Sequence, residues 1–460
     1  MREWNRVAAA GRRVLAGMAA AAVQAGRAGI ASAVAGRRVP GRTAFAAGLM
    51  VVAFLCVLCG GCSAESAAPV TITVIHAWGS TEDDHVAMRR IYEDFQEENP
   101  DVQLQMIPMP TREEMLRKVE DRIMVGNTPD VVAFGGMGRN ETYDFMVQNG
   151  MALDLMPYLE EDKAFARSVS AVNLEHWTTQ DNQLFTVSDV LVLSGGYWYN
   201  EEMFERAGIR ELPQTWGEFT AMCGALQRWS ERENAGVKPL QASPEGYLYF
   251  FDHMIGGRKE EVSVEENGRW NFGAGSGAET AQALWWLGEI YRFSTSGNEG
   301  YSYRDETSLF NEGKLAIYVN GVWGAPMIAE EIRASYALLP TGSGISRSCQ
   351  SACLGYVLGN SGNSEREEAS VRFLKYMLRE DVQRRILKET GQIPANPNVS
   401  LAESAGENPR LYQAASLVLG ADEKIEVPDN LWTAAEKEAF TGNIVKILEQ
   451  NQAQGTEQEE

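Results

Sequence analysis

The sequence predicts an α/β protein large enough for two domains, and three observations predict it. β-rich and amphipathic segments alternate from Val70 to Phe134. About 400 residues follow the N-terminal leader, enough for two domains. Hydrophobic content of 44% with 11 Trp indicates packed cores rather than disorder.

The first element is Val70 to Ala77, β-rich and bounded by Pro69 and Gly79. Thr81 to Glu98 reads as a helix, with Val86, Met88, Ile91 and Phe95 as its apolar stripe and Glu82, Asp83 and Asp84 in the first turn, where the helix dipole favours acids. Asn99-Pro100 stops it. Val102 to Met106 alternates as a strand, Arg112 to Val125 is a second helix, and Asp130 to Phe134 is a third strand. Strand, helix, strand, helix, strand at this spacing is a parallel sheet with helices on its faces. Further on, Leu191 to Tyr199 reads as one strand leading into a helix at Asn200. Thr215 is the expected N-cap of a helix running through Trp229. Leu309 to Leu315 reads as helix, Ala316 to Val319 as strand, and Ala369 to Leu387 as one long amphipathic helix. Tyr247, Tyr249, Phe250 and Phe251 crowd what reads as a loop before Gly256-Gly257, and the polar tail from Gln450 is expected to be disordered.

Sixteen uncharged residues, Ala44 to Cys59, follow eight arginines and one acid, Glu3, and precede Gly60-Gly61-Cys62. As a helix this run rises about 24 Å, short of a hydrocarbon core of roughly 30 Å. A basic n-region, a short apolar stretch and small residues at a cut site make a secretory signal over 1–61. Cys62 at the cut resembles the lipidated Cys of the bacterial lipoprotein lipobox, although Cys59 stands where that motif usually has Leu. The reading is a lipid anchor at Cys62, a tether over 62–68 and an extracytoplasmic body held at the cell membrane. An ordinary signal peptide or a signal anchor is the alternative.

The full chain carries 41 basic and 63 acidic residues, a formal charge of −22; removing the eight arginines and Glu3 leaves 33 and 62, or −29. That balance argues against nucleic acid and against a polybasic membrane patch. Of six Cys, Cys223, Cys349 and Cys353 follow Cys62. An odd count is no disulfide framework; Cys349 and Cys353 either pair locally or are two separate thiols.

Catalytic and cofactor signatures are missing. There is no Gly-x-Ser-x-Gly elbow, no His-Glu-x-x-His and no phosphate-binding Gly-rich loop. None of the four His lies at metal-ligand spacing with another His or Cys, and His76 reads as a core or cleft-edge residue. No cofactor, metal or catalytic residue is expected, and no pair of acids singles itself out as a glycosidase pair. Aromatic residues are more informative. Trp78 follows the first strand and is followed by Gly79-Ser80; Trp323 follows a strand, and Trp432 follows Pro428. Open α/β sheets place ligands at such strand ends, and aromatic faces suit sugar C–H faces. The alternative for each of these rings is a place in the core.

Six segments in order now carry a resemblance. Phe310-Asn311-Glu312-Gly313-Lys314-Leu315-Ala316, running on to Gly321 and Trp323, resembles "F-x-x-G-K-x-A-M-x-x-x-G-x-W". Phe95 to Val102, Gly126 to Val132, Trp198 to Ile209, Leu212 to Phe219 and Gly391 to Ala395 resemble "F-x-x-x-x-P-x-I-x-V", "G-x-x-P-D-V-V", "Y-Y-N-K-D-L-F-E-K-A-G-I", "x-P-x-T-W-D-E-F" and "G-x-I-P-A". These are motifs of the extracellular solute-binding proteins of family 1, the maltose-binding-protein-like receptors of ABC importers, and they span Val70 to Leu448. Two features depart from the pattern: Phe185-Thr186-Val187 replaces "G-x-P", and Gly195-Gly196 is inserted.

The resemblance implies a monomeric, two-lobed receptor that closes by hinge rotation on a carbohydrate and delivers it to permease subunits in the membrane. Lobe one would be 69–189 with 354–402, lobe two 190–353 with 403–448, and 449–460 a tail. It implies that Trp78, Gly79, Ser80, Gly135 and Gly136 face the cleft from lobe one, and that Tyr247, Tyr249, Trp323 and Trp432 form the platform of lobe two. Asp189 is a polar candidate at the crossover. A same-fold receptor for a non-sugar solute and a lipid-anchored hydrolase are the other readings.

Overall fold

A computed structural model describes residues 68–258, 262–264, 270–272, 277–294 and 300–449. The leader, Cys62, most of the tether and the tail from Gln450 lie outside the described residues. In chain order the strands are β1 (Val70–His76), β2 (Val102–Pro108), β3 (Val131–Met137), β4 (Val190–Ser194), β5 (Gly196–Asn200), β6 (Lys238–Leu240), β7 (Val262–Val264), β8 (Trp270–Phe272), β9 (Leu315–Tyr318), β10 (Ala334–Leu338), β11 (Arg347–Ser351), β12 (Leu354–Leu358), β13 (Ile393–Pro394) and β14 (Glu423–Ile425).

The first sheet has the order β12-β3-β1-β2. β1 pairs in parallel with β2, from Val70↔Val102 to His76↔Pro108, and with β3, while β12 joins β3 antiparallel. The expected parallel sheet is therefore present, with one late strand added to its edge. The helices Asp83–Glu98 and Arg112–Met124 connect its parallel strands. The second is capped by Thr111, which accepts from the Glu114 N–H, and buries Met115, Val119 and Ile123 at four-residue steps. The core around this sheet draws on residues from Ile72 to Val190 and again from Leu354 to Ile386.

A second sheet, β10-β5-β9-β6, is flanked by the helices Trp216–Glu233, Pro244–Ile255 and Ala278–Tyr291, with a separate core running from Tyr197 to Leu448. Two cores, each a sheet with its helices, make two lobes. The third sheet, β13-β4-β11-β14, gathers crossing strands. β4 starts at Val190 in the first core and reaches Leu193 in a cluster shared with Leu387 and Ile393.

Several expectations need correction. The strand expected over Leu191 to Tyr199 is two strands in two sheets. The break is Gly195, at φ 93°, where a Cβ would lie 2.9 Å from the Cys349 nitrogen; only glycine lets the chain turn from one sheet into the next at this approach. The helix expected over Ala369 to Leu387 is Ser364–Met377 and Glu380–Thr390. Arg379 between them is extended, and Gln383 and Asn396 donate to the freed carbonyls of Met377 and Leu378. The loop expected around Tyr247 is the helix Pro244–Ile255, with Ser243 as N-cap, Pro244 in its first turn and Gly256 at φ 78° as C-cap. The helix expected from Leu309 begins at Tyr303, where Ser302 and Asp305 form a capping box. Thr215 also forms a capping box, and its helix continues four residues past Trp229 to Glu233.

Cys223, Cys349 and Cys353 are buried free thiols. Among the described residues no helix is long and apolar enough to cross a membrane.

Candidate ligand-binding cleft

A cleft of about 1960 Å³ lies between the lobes. Lobe one lines it with Ala77 and Trp78 after β1 and with Gly135 to Asn140 at the end of β3; lobe two contributes Ser243 to Gly246, Tyr249, Gly300 to Ser302, Arg304, and Asn320, Gly321 and Trp323. The volume is above the roughly 300–1,000 Å³ of a drug-sized pocket, so the cleft has room for an extended solute.

The Trp78 wall is fixed from behind. The Trp78 N–H donates to Nδ1 of the fully buried His76 at 3.2 Å. Burial, then the charges of Arg89 and His85, push His76 down to about 3, so its ring is neutral and can accept. Arg89 donates to the carbonyls of Trp78 and Ser80. The Ser80 hydroxyl lies 2.8 Å from Nδ1 of His85, whose ring meets Trp78 edge-on at 5.2 Å. The Trp78 indole donates to the Tyr92 hydroxyl at 3.2 Å; Tyr92 lies 3.0 Å from the Tyr356 hydroxyl, which donates to Asp189 Oδ2 at 3.1 Å.

Gly135 and Gly136 have φ of 59° and 78°. A Cβ at Gly135 would sit 2.9 Å from Trp78 Cζ2, so the absent side chain is what admits the indole. Arg112 donates to the Gly135 carbonyl at 3.0 Å. The opposite wall centres on Asp429. It accepts from the Tyr249 hydroxyl at 2.5 Å through one oxygen and from Lys437 at 3.1 Å through the other. Burial, then the Asp429 charge, hold the Tyr249 phenol well above its ordinary range. Trp323 sits in the short 3-10 turn Val322–Met327, its ring folded over Gly321, whose carbonyl accepts from Trp198 at 2.9 Å. The lobes touch where Arg304 meets Glu82 at 3.0 Å and where Gly138 approaches Asp429. Glu82, Asp84 and His85 gather ligand atoms within 4.8 Å of one another, the described residues best placed to hold a cation, but Glu82 is already engaged by Arg304.

Of the residues expected from sequence, Trp78, Gly135, Gly136, Tyr249 and Trp323 line the cleft. Gly79, Ser80, Asp189, Tyr247 and Trp432 do not. A Cβ at Gly79 would lie 2.4 Å from the Met109 carbonyl, so its lack of a side chain serves loop packing. Ser80 binds the His85 side of the wall. Asp189 is 3% exposed at the lobe crossover. Tyr247 is fully buried beside Tyr291 with its hydroxyl on Ser294, because helical spacing turns it away from Tyr249. Trp432 is 1% exposed, packed edge-on against Phe251 and Phe440. Sequence reasoning missed Arg112, Asp429 and Lys437. Arg112 and Lys437 read as ordinary helix-surface charges; Asp429 has a neighbouring signal, the Pro428 that opens a helical turn.

Two lobes on separate cores, joined by crossing strands around an aromatic-walled cleft, define a solute receptor. The chain matches the bacterial extracellular solute-binding protein family over residues 90–413 and belongs to that family. It is similar to a Streptococcus pneumoniae solute-binding protein solved with the blood group A-trisaccharide, with a TM-score of 0.67 at 23% identity over 82% of this chain and 94% of that one. A chitin oligosaccharide binding protein gives a TM-score of 0.63 at 17% identity over 85% of this chain and 100% of that one. The multiple sugar-binding protein of Streptococcus mutans is 23% identical over 256 residues, covering 53% of this chain and 56% of its own length.

Proposed function

We propose that this chain is the extracytoplasmic substrate-binding lipoprotein of an ABC importer, capturing a carbohydrate in the interlobe cleft and handing it to membrane permease subunits. The observation that carries the reading is the pair of aromatic residues, Trp78 from lobe one and Trp323 from lobe two, lining one large cleft. Both faces meet a ligand together only when the lobes are shut, so ligand binding favours closure. The moving bodies are 69–189 with 354–402 against 190–353 with 403–448. Gly135, Gly136 and Tyr249 would contact the ligand beside the two indoles, and the receptor acts as a monomer without chemical turnover. Similarity to proteins whose names carry sugars supports carbohydrate as the solute class. Lipid on Cys62 would keep it at the outer face of the cell membrane; Cys62→Ser protein should lose that attachment once its leader is cleaved, and cleaved Cys62→Ser protein that stays at the membrane would refute the anchor.

A thermal-shift screen over mono- and oligosaccharides, followed by titration, tests the reading. A ligand at a hundred times its Kd adds about 2.7 kcal/mol to stability. Binding should also reduce the radius of gyration, and the bound sugar should be recovered intact. Hydrolysed product, or no stabilisation by any sugar, would overturn it.

A further inference from the structure

Asp189 was expected at the ligand, yet it is buried where the lobes join. Its carbonyl accepts from the Ala395 N–H at 3.0 Å, and β4 and β13, which begin and end beside these two residues, pair Pro394↔Val190. Two of the crossing strands, β4 and β13, therefore meet at its backbone. Its side chain leads elsewhere. The carboxylate accepts from Tyr356 on β12, the Tyr356 hydroxyl meets that of Tyr92 on the helix Asp83–Glu98, and Tyr92 accepts from the Trp78 indole in the cleft wall. With the Tyr356 O–H donating to Asp189, Tyr92 must donate to Tyr356, and its own oxygen is then free to accept from Trp78. One direction of donation satisfies all three links.

All four residues are at most 7% exposed. Burial and the missing alternative of water make such a chain costly to break. Edge-on contacts of Tyr92 with His76 and Phe373, and of Tyr356 with Phe373, hold the two phenol rings in place.

We propose that Asp189, through Tyr356 and Tyr92, is a positioning residue that sets the orientation of the Trp78 ring from the interlobe crossover. A change of backbone at the crossover then reaches the cleft wall through three hydrogen bonds, which couples the hinge to the aromatic face. The inference takes from the proposed function only that Trp78 contacts the ligand, and its first test needs no ligand.

Protein carrying 5-fluorotryptophan gives a ¹⁹F resonance for Trp78, assigned by its disappearance in Trp78→Phe. In ligand-free protein that resonance should shift in Tyr92→Phe, in Tyr356→Phe and in Asp189→Leu, and return towards the wild-type position in Asp189→Asn, which keeps an acceptor for Tyr356. Tyr356→Phe removes one oxygen only, so it remains informative if Asp189→Leu does not fold. An unmoved Trp78 resonance in Tyr356→Phe overturns the proposal. The second readout is affinity for the sugar found in the screen. Tyr92→Phe should weaken it about twofold to tenfold, the worth of one hydrogen bond, and should have no effect in a Trp78→Phe background, which lacks the indole donor. An equal loss in both backgrounds would make Tyr92 merely structural and also overturn the proposal. If no sugar binds, the functional reading fails while the resonance still decides the relay.

Discussion

The indole of Trp78 lies over the α-carbon of Gly135, in the space that a side chain at residue 135 would fill. Two strand ends thus build one surface: β1 leads into the ring and β3 supplies the vacancy that lets its Cζ2 and Cη2 atoms approach the backbone. Gly135→Ala should push the ring out of place and weaken ligand binding by about 1 kcal/mol, the scale of one aromatic contact. It also strains a backbone at φ 59°. Gly126→Ala separates the two effects, since Gly126 has φ 73° and nothing within 4 Å of its would-be Cβ. Both variants should lower the melting midpoint, Gly135→Ala by more because it also displaces the buried indole, and only Gly135→Ala should lose affinity by titration.

The lobes meet closely at Gly138, where a Cβ would lie 2.1 Å from the Asp429 carbonyl oxygen. Neither backbone can give way without moving its lobe or the Tyr249–Asp429–Lys437 cluster. Gly138→Ala should therefore oppose closure by about 1–3 kcal/mol, the usual cost of overpacking. Scattering of the ligand-saturated variant should show a larger radius of gyration than wild type, with a nearly unchanged melting midpoint in the absence of ligand. Identical scattering would mean that the turn around Asp429 yields instead of the lobe.

Local signals explain what the sequence disclosed. The β1 to β3 alternation follows from apolar runs and caps that lie within a few residues of one another, so the parallel sheet was legible. The break at Gly195 was not, because it depends on Ser348 and Cys349, more than 150 residues away in sequence. The aromatic cluster at Tyr247 was misread as a loop because four aromatic residues in five conceal helical period; Ser243, Pro244 and Gly256 carried the helix signal. In the cleft, residues beside glycine at strand ends were legible. Asp429 and Lys437 were not, since a charge that faces a cleft and one that faces solvent look the same in a sequence.

Trp323 and Trp432 should behave oppositely. Trp323 is half-buried and lines the cleft, whereas Trp432 is sealed between Phe251 and Phe440. Trp323→Ala should cost about 2 kcal/mol of binding or more, as truncated aromatic hot spots do, with little change in melting midpoint. Trp432→Ala should cost about 3–5 kcal/mol of stability and leave the folded fraction with normal affinity. A large stability loss in Trp323→Ala with normal affinity would remove the second aromatic face from the site.

Glu306 gives the protein a pH dependence whose sign can be worked out. Its side chain is fully buried on the helix Tyr303–Asn311, and Oε1 accepts from the Ser243 N–H at 2.6 Å. Burial raises its pKa from 4.5 to about 8, with Glu245 and Asp305 adding to the rise and the Ser243 hydrogen bond opposing it. Between those two values the folded state holds a proton that the unfolded state has released. The Glu306 contribution to stability is therefore full below about pH 4.5 and is lost as pH climbs to about 8. Asp189, raised to about 6 by burial, acts in the same direction over a narrower window. His76 and His253, lowered to about 3 by burial, act oppositely and withdraw stability as pH falls below 6.5. Glu306→Gln keeps a carbonyl acceptor for Ser243 and removes one titration while leaving the others in place. The melting midpoint of Glu306→Gln minus that of wild type should thus grow more positive from about pH 5 to about pH 8. A flat difference across that range would show that Glu306 ionises in the folded protein as it does in the unfolded chain.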